Sequence, residues 1–132
     1  MNIKGEITKL DEDQFLVFGW ASVAEKDGST VIDSQGDVIP LAELEKAAHN
    51  FVLNSRTGGA MHEVYGVATL VESIVFTPEK LAALGLAEDA LPHGWFVGFK
   101  VHDAEAWQKI KNGDYSMFSI GGRAVREAVS ND

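Results

Sequence analysis

Nine consecutive residues from Phe15 to Val23, Phe-Leu-Val-Phe-Gly-Trp-Ala-Ser-Val, are apolar on both faces of an extended chain. A run of that kind reads as a central strand, covered above and below and flanked by neighbours on each side. Other segments supply those neighbours. Ile3, Gly5 and Ile7 alternate with Lys4, Glu6 and Thr8, the pattern of a half-buried strand. Gly59 to His62 followed by Val64 to Thr77 reads as a strand pair or one long bent strand. Trp95 to Val101 is a further apolar strand, and Tyr115 to Val125 a last one. Between Glu25 and Asp37 the chain is polar, with Lys-Asp-Gly-Ser and Asp-Ser-Gln-Gly-Asp both offering turn chemistry.

Three helices interrupt the strands. Pro40 suits a first turn, and Leu41, Leu44, Ala47, Ala48, Phe51 and Val52 then recur at helical spacing to about Asn54. Thr77-Pro78-Glu79-Lys80 is a cap followed by a first-turn proline, predicting a short helix over Glu79 to Leu84 that stops at Gly85. Asp103 caps a third helix running through Trp107 and Ile110 to Gly113. No internal repeat or low-complexity segment occurs. The expectation is a single domain over 1–132, mostly β in an α+β arrangement, built as a barrel or a roll.

Composition narrows the partners. Twenty acidic side chains against 11 basic ones leave a net charge of −9. That balance disfavours a sequence-independent grip on nucleic acid, which needs cations to displace counterions, and binding to an anionic membrane. No apolar run approaches the roughly 20 residues of a membrane span. Met-Asn-Ile-Lys-Gly-Glu at the start carries an acidic residue where a signal peptide needs apolar ones. The absence of cysteine removes disulfide and thiolate chemistry and fits cytoplasmic synthesis.

Two short segments put reactive residues among apolar ones beside glycines: Gly-Ala-Met-His-Glu around His62, and Met-Phe-Ser-Ile-Gly-Gly-Arg around Ser119. A serine hydroxyl becomes a useful nucleophile when a base takes its proton, and histidine is the usual base near neutral pH. Gly121 and Gly122, with Arg123, would leave backbone N–H groups free for an oxyanion. Ser116, after the Gly113-Asp114 turn, is the rival serine. His49 falls on the polar side of the first helix, His93 in a Pro-His-Gly turn, and His102 before a helix cap. None of them makes a metal-ligand pattern, and no metal or cofactor is assigned. Glu63 points away from His62 on an extended strand. Glu72 is the better third group, because alternation puts it on one face with Leu70, Ile74 and Phe76. An ion pair of Glu72 with Lys100, Arg123 or Arg126 is an equal reading. Asp33 and Asp37 lack the later glutamate of a calcium loop and read as a turn.

Taken in order, several of these segments resemble the XkdF-like branch of phage prohead proteases. They are Phe-Gly-Trp-Ala-Ser-Val, Asp-Ser-Gln-Gly-Asp-Val-Ile-Pro, Met-His-Glu, Val-Glu-Ser-Ile-Val-Phe-Thr-Pro-Glu-Lys, Gly-Trp-Phe-Val-Gly-Phe-Lys-Val and Phe-Ser-Ile-Gly-Gly-Arg. The resemblance runs from about Phe18 to Glu127. It implies an assemblin-like β-barrel with surrounding short helices, related to herpesvirus assemblin-type proteases. It also implies a serine endopeptidase of the immature capsid in the bacterial host cytoplasm, cutting scaffold and capsid proteins and itself. His62 would be the base and Ser119 the nucleophile, and dimers are common in such enzymes. Related proteases carry a downstream strand with a further Glu, whereas this chain stops at Asp132. A trimmed domain, a third role for Glu72, or a weak or inactive capsid-assembly module with the same fold are the readings that remain open.

Overall fold

In the computed structural model, which describes residues 3–7, 9–32, 38–55, 57–60, 64–113 and 117–120, the apolar run at Phe15 becomes the longest part of β3 (Leu16–Lys26). β7 (His93–Val101) runs along one side of it and β2 (Lys9–Asp11) pairs with Leu16–Phe18 on the other, both antiparallel. The remaining strands are β1 (Ile3–Glu6), β4 (Ser29–Thr30), β5 (Thr57–Ala60), β6 (Val64–Val75) and β8 (Met117–Ile120). The path is β1-β8-β5-β6-β7-β3-β2, with β4 paired to the end of β3. Asp27 and Gly28, both at positive φ, make the two-residue turn between β3 and β4. That backbone matches the twist of a tight hairpin, and an Asp-Gly pair adopts it readily.

The two ends of this path are consecutive in sequence. Laid flat, seven strands would separate β1 from β2 by about 29 Å. Only three Cα steps separate Glu6 from Lys9, a reach of about 11 Å, so the sheet must curl back on its own N-terminal segment. β1 accordingly approaches β3. The expected barrel is nevertheless not closed: among the described residues no ladder joins β1 to β2, and the antiparallel sheet is open. The reason is a change of partner. The N-terminal segment pairs with β8 over Ile3–Glu6 and with β3 over Lys9–Asp11, so the edges are bridged by chain and by Ile7 and Leu10 packed on the core.

Helices α1 (Leu41–Asn54), α2 (Pro78–Ala83) and α3 (Ala104–Lys111) follow the sequence signals closely. Thr77 Oγ1 accepts from Lys80 N at 3.2 Å and Asp103 Oδ2 from Ala106 N at 2.8 Å, each satisfying an orphan N–H of a first turn. Gly85 and Gly113 end α2 and α3 at positive φ. α1 lays Leu44, Ala47, Ala48 and Phe51 on the sheet. Phe51 is fully buried and meets Trp95 and Phe99 edge-on, at centroid distances of 5.8 and 6.3 Å. Val17, Ala21, Leu70, Val97, Trp107 and Ile110 belong to the same core. The other sheet face carries the aromatic rings of Phe18, Trp20, Phe76 and Phe96, tilted against one another at 5.3 to 6.2 Å. No helix among the described residues is long and apolar enough to cross a membrane.

Candidate active site

Ser119 lies in β8, between two strands from distant parts of the chain. Its Cα partner on one side is Lys4 of β1 and on the other Gly59 of β5. Partners in a ladder share a face, with Cβ atoms about 5 Å apart. The residue in register with the serine on β5 is thus a glycine. The adjoining residue in β5, Ala60, pairs with Phe118 and also with Val64, where β6 begins. His62 follows Ala60 by two positions in the sequence. Thus the strand that leads to the histidine segment is hydrogen-bonded to the strand that holds the serine. Neither segment signals this pairing by itself, since it joins residues sixty apart.

His62 and Glu63 lie outside the described residues, as do Ser116, Gly121, Gly122, Arg123, Arg126, Asp33 and Asp37. Glu72 is described, and the structure does not bring it to Ser119. It lies on β6 four residues past Ala68, the partner of Gly58, so roughly 10–13 Å further along the sheet. β5 stands between β6 and β8. The alternation expected around it is also corrected. A bulge between Leu70 and Glu72 inserts Val71, so Leu70 pairs with Phe99 on the core face whereas Glu72 pairs with Gly98 on the opposite one. Glu72 does share its face with Ile74, which pairs with Phe96. The expected ion pair with Lys100 is not formed: Lys100 is in register with Thr69 and Leu16.

The other three histidines have structural surroundings. His49 is exposed on α1, 4.0 Å from Glu45. His102 Nε2 lies 2.8 Å from Thr69 Oγ1. His93 is not in a turn but opens β7, where Nδ1 faces Glu25 Oε1 and Nε2 faces the Glu88 carbonyl oxygen, each at 2.8 Å. Both partners are acceptors, so only the imidazolium donates to both. Accordingly its pKa is raised, first by the bond to Glu25 and then by that to Glu88, against the opposing effect of burial. Glu45 is held below the ordinary carboxylate range, chiefly by the hydrogen bond from Lys80 Nζ at 2.6 Å. Among the described residues no group of three or more His, Asp or Glu side chains is placed to hold a metal ion.

Comparison with known proteins supports the resemblance. Residues 4–127 match the family described as "Putative phage serine protease XkdF". The chain is 34% identical over 119 residues to "Uncharacterized protein YqbD" of Bacillus subtilis (strain 168), an alignment covering 89% of this chain and 34% of that protein. It is 32% identical over 119 residues to "Phage-like element PBSX protein XkdF" of the same organism, covering 89% of this chain and 40% of the relative. The chain therefore spans well under half the length of these relatives. No solved structure matches it. Because the match runs from within β1 to past β8, the chain belongs to the phage XkdF-like serine protease family.

Proposed function

We propose that this domain is a serine endopeptidase of the phage prohead, acting on scaffold and capsid proteins and on itself within the immature capsid. Ser119 is the nucleophile and His62 the base. The observation that carries the reading is the pairing of Ser119 with Gly59, at the end of the strand that precedes His62. Ala60, the last residue of β5 and the partner of Phe118, precedes His62 by two positions in the sequence.

The chemistry is acyl transfer. Ser119 Oγ attacks the carbonyl carbon of the scissile bond while His62 takes the hydroxyl proton. Backbone N–H groups of Gly121, Gly122 and Arg123 hold the oxyanion. The C–N bond breaks as His62 returns the proton to the leaving amine, and water then hydrolyses the acyl ester with His62 again as base. Glu72 has no step in this scheme, because the register keeps it away from Ser119. The relation to assemblin-type proteases belongs to the same proposal and is supported by the curl of the sheet.

Labelling with a fluorophosphonate probe tests the assignment. The wild-type chain is expected to label at Ser119, and Ser119→Ala to lose both labelling and self-cleavage while keeping its circular dichroism. Labelling that survives the substitution sinks the nucleophile assignment. A wild-type chain that never labels is instead a non-catalytic capsid-assembly module on the same fold.

A further inference from the structure

Among the described residues, the long strand β6 is paired along only part of one side. Its first half is covered by β5 as far as Thr69, the partner of Thr57. From Leu70 to Val75 it pairs with β7 on one side, and among the described residues no strand lies on the other. The direction of the unpaired groups follows from the ladder. Phe76 N donates to Gly94 O at 2.8 Å, and alternation then turns the N–H and C=O of Ser73 and Val75 away from β7. The Val75 carbonyl already accepts from Lys80 Nζ at 2.8 Å. Among the described residues, both groups of Ser73 and the N–H of Val75 have no partner strand.

This edge forms one wall of a groove of about 680 Å³, whose other wall is the His49, Val52 and Leu53 side of α1. Apolar surface is exposed here: Leu53 at 74%, Val71 at 52% and Ile74 at 36%. Glu72 belongs to the same stretch of β6 and lines the groove, its carboxylate lying over Gly98 of β7. Its ladder partner Gly98 has no side chain, and the carboxylate has no cation beside it among the described residues. An unpaired hydrogen-bonding edge, an apolar wall and an uncompensated carboxylate are complementary to one kind of occupant.

We propose that the Leu70–Val75 edge of β6, with α1, docks an extended peptide that adds as a strand, places apolar side chains against Val52 and Leu53, and sets a lysine or arginine opposite Glu72. The groove is in line with β5, because both lie along the same side of β6. A docked segment therefore continues toward the strand paired with Ser119. It is separate from the serine, and its occupancy is measured as binding, without reference to catalysis.

The test uses the full chain and three acetylated, amidated octapeptides: alternating valine and lysine, alternating valine and glutamate, and the valine–lysine peptide with N-methylated valines. Fluorescence anisotropy is expected to show the valine–lysine peptide binding about tenfold or more tighter than the other two. Leu53→Asp should weaken it by a similar factor. Glu72→Lys should reverse the preference between lysine and glutamate peptides, and both variants are exposed positions that leave the core intact. No measurable binding, or binding indifferent to both substitutions, overturns the proposal. So does a dimer that Leu53→Asp dissociates, since the occupant is then a second copy.

Discussion

Gly59 of β5 is the ladder partner of Ser119 of β8, so the register position opposite the serine on that strand is held by a residue without a side chain. Gly59→Val puts a β-branched residue at the register position of the serine. Fluorophosphonate labelling should drop on the order of tenfold or more, since small displacements of a reacting group cost rates of that size. Strand propensity favours valine, so the melting temperature should hold. A Gly59→Val protein that labels normally would remove the functional meaning of the pairing.

His93 supplies a pH dependence with a definite sign. Its folded pKa is raised by Glu25 and Glu88, so the stabilisation is fully present below the ordinary histidine value of about 6.5. It is lost as the pH rises through the higher folded value. Bonds from a charged donor contribute about 2 kcal/mol. Urea denaturation of wild type and His93→Gln at pH 5.5 and 8.5 should show a gap near that size at the lower pH and a smaller one at the higher. A gap that widens with pH would contradict the bonding described.

Two glycines of β7 should respond oppositely to a methyl group. At Gly94 an added Cβ collides with the Ser22 carbonyl oxygen and stands 2.7 Å from Val23 Cα, both backbone atoms beside a bulge. At Gly98 it meets Glu72 Oε1 at 2.6 Å, the end of a side chain on the exposed face that can turn away, and Glu72 Cβ at 3.2 Å. Gly94→Ala should cost about 3 kcal/mol or more and Gly98→Ala less than about 1 kcal/mol. Denaturant midpoints of the two variants decide it, and equal losses would refute the distinction.

Phe51 joins α1 to the sheet through Trp95 and Phe99. Phe51→Ala should lower stability by about 3–5 kcal/mol, a large share of the roughly 5–15 kcal/mol typical of a domain. Phe51→Leu, which keeps most of the volume, should lose less than half as much. Calorimetric melting separates the two.

What the sequence disclosed was local. Pro40, Thr77-Pro78 and Asp103 mark helix starts because a cap needs only its own first turn. Phe15 to Val23 marks a central strand because both of its faces are apolar. Lys9–Asp11, with one apolar residue in three, carries no periodicity and became a strand only by pairing with Leu16 to Phe18. The bulge at Val71 has no signature in its own residues, and it moved Leu70 and Glu72 to different faces. The site shows the same division. Serine, histidine and glycines are visible as segments, but the register that sets Ser119 beside Gly59 depends on a closure of sixty residues, which no short pattern records.

The first strand has one more implication. By pairing with β8 through Ile3–Glu6 and handing over to β3 within three residues, the amino-terminal stretch shields two sheet margins at once. Trimming it, or fusing a bulky tag that pulls it off, would bare both margins together, one of them on the strand that carries the serine. Such a preparation should self-associate into fibrous or amorphous aggregates before losing its helices, so the amino terminus is the end to leave untouched when the domain is produced.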